Sequence, residues 1–266
     1  MSTTGKQWIL GLYSGASPAP LGGQVVSAKI KKHAENKHES GTGTRTTNLT
    51  TTNIYWTIDF KMKVKRLADF FTIYAMPTAE GTLTPFSLYA YDGTTKKGFT
   101  GCLVDKASLS LDTEGVLVAD ASIIASANEV KDLTITERTE APMTKSALTA
   151  LSIGASVLTE FSKLKFSVDN HVQKQASGTG DAISDVYAKE ATYAISIDLI
   201  KKTASKFAYD GTKSAAIVIT LANNQVAPVT TTFTFTGNLT SNDYTVEELG
   251  ITQENVSCAA AVLAIS

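Results

Sequence analysis

The segment IYWTIDFKMKVK, residues 54–65, changes polarity at nearly every step. Trp56, Ile58, Phe60, Met62 and Val64 share one register, and Tyr55, Thr57, Asp59, Lys61, Lys63 and Lys65 share the other. A period of two fits a strand with one buried and one wet face, and does not fit a helix with its period of 3.6. The habit recurs. VVSAKIKK sets Val26, Ala28 and Ile30 on one face. Ala107, Leu109 and Leu111 alternate with Ser108, Ser110 and Asp112; after a break at Glu114–Gly115, Leu117, Ala119, Ala121 and Ile123 line an opposing strand. Leu164, Phe166 and Val168 alternate with Lys163, Lys165 and Ser167. Later come Tyr193, Ile195, Ile197 and Leu199, then Ala215, Ile217, Ile219 and Leu221, then Phe233 and Phe235 among threonines, and a closing VSCAAAVLAI. An Asp92–Gly93 turn joins two further strands. The chain is mainly β, expected as a β-sandwich or curled antiparallel sheet with long loops.

Length and linkers bound the domain count. The 266 residues, 43% of them hydrophobic, fit one large β domain or two small ones. No sharp Pro/Gly-rich linker divides them, so one elaborated sheet is expected at 25–266, after an N-terminal arm at 1–24. LADFFTIYAM reads equally as helix or buried strand. Residues 127–160 are irregular, and MTKSALTALSIGASV within them offers one short helix. The polar, Gly- and Thr-rich stretch at 33–53 is expected as a long loop, either a projecting hairpin or a segment without order until it binds. AYDG occurs at 90–93 and 208–211; a shared turn type explains it.

Chemistry is sparse. Net charge is −1, which gives no general attraction to nucleic acid. Only 18% of residues are charged, so copies of the chain repel one another weakly. Cys102 and Cys258 lie in apolar strand-like runs and are expected as buried thiols. No signal-peptide pattern opens the chain, and the apolar C-terminal run is far shorter than the ~20 residues of a spanning helix. His33, His38 and His171 match no metal-ligand spacing. SGTGT at 40–44 and SGTGD at 177–181 lack the Lys-Ser/Thr ending of a phosphate loop. No cofactor or metal is expected. Asp169, Asn170 and His171 end a strand, where short polar side chains bond to local backbone; a hydrolase centred on His171 with Asp169 and Lys174 is the rival reading. The Lys61, Lys63 and Lys65 row faces water, an acidic neighbour or phosphate.

The order GCLVDKASLSLDTEGVLVADASIIA, LTEFSKLKFSVDNHVQKQ, YAKEATYAISIDLI, KFAYDG and SAAIVITL resembles that of tailed-phage major tail (tail tube) proteins, most specifically over 101–235. The resemblance implies a structural, non-enzymatic virion subunit that contributes strands to an oligomeric β-barrel. It implies stacked, hexameric rings forming a conduit through which viral DNA passes without sequence-specific binding. Its partners would be other copies of itself and the tail initiation, tape-measure and terminator proteins; assembly would occur in the host cytoplasm. His33, Asn36, Lys37, His38, Arg45 and Asn48 would then lie in an inter-ring loop. Lys61, Lys63, Lys65, Asp169, Asn170, His171 and Lys174 would lie at subunit contacts, away from a DNA channel that lysines would obstruct. The alternative without assembly is a carbohydrate- or cell-surface-binding sandwich, for which Trp8 and Trp56 are the only tryptophans.

Overall fold

The structure, a computed structural model, describes residues 8–14, 17–40, 47–77, 82–111, 115–176, 183–201, 213–223, 227–246 and 252–266. Arg45, the Asp112 and Glu114 turn acids, SGTGD and the second AYDG lie outside them. The strands are β1 (Ile9–Ser14), β2 (Ser17–Pro20), β3 (Gly23–Ser40), β4 (Thr47–Val64), β5 (Phe86–Tyr91), β6 (Lys96–Leu111), β7 (Val118–Val130), β8 (Leu148–Ile153), β9 (Ser156–Val157), β10 (Phe161–Asp169), β11 (Gln173–Ala176), β12 (Ile183–Tyr187), β13 (Thr192–Lys201), β14 (Ser214–Ala222), β15 (Thr230–Val246) and β16 (Thr252–Ile265). All but β11 and β12 belong to one large antiparallel sheet that curls into a half-barrel.

The sheet branches at β6. Its first half pairs with β5, its second half with β10, and β7 lies along both. Two irregularities make the branch. Gly101 has φ 58, and a Cβ there would stand 2.2 Å from the Ser126 hydroxyl, so glycine lets the strand bend here without strain. Asp105 is an extra residue between Val104 and Lys106 in the ladder to β7. From the branch one arm runs β5–β1–β2, one runs β7–β4–β3, and the longest runs β10–β13–β16–β15–β14–β8–β9.

The apolar registers read from the sequence meet inside the curl. Ile58, Phe60, Met62 and Val64 pack with Leu109, Leu111, Phe166, Ile195, Ile197, Ile217, Ile219, Phe233 and Phe235 in one continuous core. Residues 127–157 join the sheet's surroundings: β7 runs on to Val130, Met143 bonds to Val64 and Leu117 through the backbone, and β8 pairs with β14. Among the described residues helix is confined to a π-helical turn at Phe71–Ala75, inside LADFFTIYAM, and a 3-10 turn at Lys145–Ala147. Asp92 Oδ1 accepts from the Thr94 and Thr95 N–H groups and Gly93 has φ 88, the Asp-Gly turn expected. Cys102 and Cys258 are both free and buried, and burial pushes the Cys102 thiol up to about 12.

One register differs. Val26, expected beside Ala28 and Ile30, is 56% exposed, whereas Val25 is buried. Val25 pairs with Met62 and Ser27 with Lys61, so Val26 is the extra residue of a bulge and turns outward.

Candidate assembly interface

Three borders of the branched sheet carry partial pairing or none. β3 is 18 residues long and pairs only with β4, which leaves its whole outer edge open among the described residues. At the far end β9 has 2 residues, so among the described residues β8 upstream of Ser152 has no strand on its outer side. β2 closes the third arm with 4 residues. Open edges present rows of unpaired N–H and C=O groups, which bind another strand readily.

The described residues of 33–53 pair as the two strands of a hairpin, the first of the two alternatives, and 41–46 lie outside them. His33 pairs with Tyr55, and Glu35 through Ser40 pair with Thr52 back through Thr47. Asn36, Lys37, His38 and Asn48 therefore lie in a ladder rather than a loop. β7 stops following β4 at Trp56, so the distal part of the hairpin has its own other strand as its ladder partner. Threonine and polar residues on both faces hid it: no side needed an apolar stripe.

The wet face of the sheet carries ordered charge. In one row of paired positions stand Lys29, Asp59, Ser122, Lys106, Asp169 and Thr192. Ser122 donates to Asp59 at 2.7 Å, and the Lys106 ammonium lies 2.8 Å from Asp169. The next row includes Lys61 beside Asp120. These residues and Lys165 line a shallow cleft of about 840 Å³. Lys61 and Lys63 are exposed on this face. Lys65 is not part of the stripe: β4 ends at Val64, and the Lys65 ammonium donates to the Arg138 carbonyl. Arg138 in turn pairs with Asp69 and Glu140, which ties the crossing at 131–143 to the turn before the π-helix. Sequence reading missed Lys29, Lys106, Lys165 and Asp120. The available signal was the polar register of each strand, which only the pairing brings together.

The stretch FSVDNHVQKQ is where β10 leaves the sheet. Asn170 is fully buried and donates from its amide to the Ala75 carbonyl at 3.2 Å and the Val104 carbonyl at 2.9 Å. Its own N–H bonds to the carbonyl of the bulged Asp105, and the Asp105 carboxylate accepts from Val172 N–H. His171 has φ 46, and this left-handed step throws the chain off the sheet into β11. Asn170 is therefore an internal pin, and burial withdraws it from the subunit contact expected for it. Asn170→Ala should lose about 1–3 kcal/mol in urea unfolding, since two buried carbonyls lose their donor; a loss under about 0.5 kcal/mol would show that the pin is dispensable.

Asp169 and His171 remain at the surface. The imidazole meets the Thr192 hydroxyl at 3.3 Å and Asp169 at 3.3 Å, a hydroxyl–imidazole–carboxylate order. The carboxylate is committed elsewhere: Oδ2 to Lys106, Oδ1 to the His171 N–H. Burial raises the Asp169 pKa, but Lys106 and the His171 N–H outweigh it and leave the carboxyl below its usual value. A depressed folded pKa stabilises above the unfolded value of ~3.9 and loses that contribution as pH falls through the folded value. The stability gap between wild type and Asp169→Asn should therefore hold at neutral pH and narrow as pH falls below about 5. A gap independent of pH would contradict the ion pair. Trp8 and Trp56 are both partly buried against the core. Among the described residues no cluster of His, Cys, Asp and Glu is arranged to hold a metal ion, and no helix is long and apolar enough to cross a membrane.

Open sheet borders, a projecting hairpin and a charge-patterned wet face define a β-sheet building block whose surfaces suit other protein chains. The comparison with known families agrees in kind. A family model described as phage tail tube protein matches residues 10–260, and the chain belongs to that family. It is thus a structural component of the phage tail, a subunit of a self-assembling tube. A search of curated proteins finds no match for the chain.

Proposed function

We propose that copies of this chain join edge to edge into closed, six-membered rings, and that the rings stack into a tube conducting viral DNA at ejection. The observation that carries the reading is the 18-residue β3 with its open outer edge, continuous with a hairpin that runs beyond the sheet. A second copy adding a strand there extends the sheet, and closure of the ring removes the free edges. The hairpin, with His33 at its base and Asn36, Lys37, His38 and Asn48 beyond, reaches toward the next ring; Lys61, Lys63, Asp169 and His171 stand at contacts between subunits. Tail initiation, tape-measure and terminator proteins meet the tube at its ends or inside it, assembly takes place in the host cytoplasm, and DNA passes without sequence-specific contacts. No catalysis is assigned. The purified chain, concentrated and viewed by negative-stain microscopy, should give rings with six-fold class averages and tubes with a central hole. Persistent monomers, even with initiation components added, would overturn the proposal.

A further inference from the structure

The long hairpin is not one straight ladder. Its register breaks on both strands at one level: Ala34 is unpaired on β3, Asn53 and Ile54 are unpaired on β4, and Asn53 has φ 54. This is also where β4 parts from β7, whose pairing ends at Trp56 and Ala125. A two-stranded ribbon that leaves its sheet at a double irregularity is free to swing there unless side chains fix it.

Side chains fix the base of the ribbon just on the sheet side of the break, and one pair spans the break itself. The His33 imidazole stacks on the Tyr55 ring, centroids 4.6 Å apart and planes 5° from parallel, and its Nε2 meets the Thr57 hydroxyl at 2.9 Å. The Lys174 ammonium, which arrives from β11, stands 4.4 Å from the Tyr55 ring centroid. Asn53 donates to Glu35 at 2.6 Å across the break. Tyr55 also packs against Val172, Ile183 and Val186, the small apolar cluster through which β11 and β12 lie on the wet face. We infer that His33, Tyr55 and Lys174 form a clasp that sets the angle of the distal hairpin, with the β11–β12 arm as its fixed side.

Lys174 therefore acts within its own subunit. It gives the projecting strands a single posture before any partner is met, which lowers the ordering cost of docking. That this posture matters for ring stacking rests on the function proposed above; the clasp itself does not.

The test reads the angle directly. Spin labels on cysteines introduced at Thr47 and Asp120 report the distance between hairpin and sheet; Cys102 and Cys258 are buried and do not compete. Labelled chain diluted into unlabelled chain gives intramolecular distances in a monomer and in a tube alike. The parent and Tyr55→Phe, which keeps the ring, should give one narrow distribution. Tyr55→Ala and Lys174→Gln should widen it about twofold, as loss of a contact that selects one posture does. Lys174 is exposed, so its variant folds where Tyr55→Ala does not. Widths unchanged in Lys174→Gln would overturn the clasp even if the parent forms tubes. A parent without tubes but with widening in the variants would overturn the tube reading and leave the clasp standing.

Discussion

Phe166→Ala is expected to destabilise the subunit by about 3–5 kcal/mol, the range for emptying a buried phenylalanine site. Phe166 lies at the middle of β10, 2% exposed, with Leu109 and Ile195 paired on either side. Its ring centroid is 4.9 Å from that of Phe233 and 5.3 Å from that of Phe235, so the curl of the sheet closes on this ring. Those aromatic contacts add to the loss of buried area. The surrounding residues belong to paired strands and have little freedom to collapse into the space left. Urea unfolding with unchanged slope checks the value. A loss below about 1.5 kcal/mol would mean that the core repacks and that this cluster does not hold the curl.

Proline on the open edge of β3 should abolish assembly while leaving the subunit folded. Successive N–H groups along an edge strand point alternately toward the paired neighbour and away from it. Of Lys31→Pro and Lys32→Pro, one removes a ladder bond to β4 and the other removes a donor from the free edge. The second should keep thermal stability within about 1 kcal/mol of wild type and yet yield no tubes by electron microscopy. The first should lose more stability. If both variants form tubes of normal length, the β3 edge is not the joint between copies, and another border must serve.

The core was legible because burial forces alternation. Trp56 through Val64, Leu164 through Val168 and Ile195 through Leu199 face inward as their pattern requires. Bulges were not legible, because one extra residue leaves no mark in composition; Val26 was misplaced for that reason alone. The hairpin at 33–53 had two polar faces, so nothing in its pattern separated ladder from loop. The polar turn was visible as a strand end, but its division of labour was not. Asn170 is inside because Asp105 bulges toward it, and those two residues are brought together by pairing of β6 with β10. Lys174 looked like a surface cation for a neighbouring molecule; folding of β11 brings it to Tyr55, far away in the chain.

The sheet's borders are unlike one another: one is long and continuous with an arm, another is a two-residue stub beside β8. A joint between unlike borders is head-to-tail, so no two-fold axis relates the two copies that share it. Rings built this way have two different faces. A stack of such rings, as proposed above, would carry an arrow along its length, and each extremity would present a distinct surface to whatever begins or finishes growth.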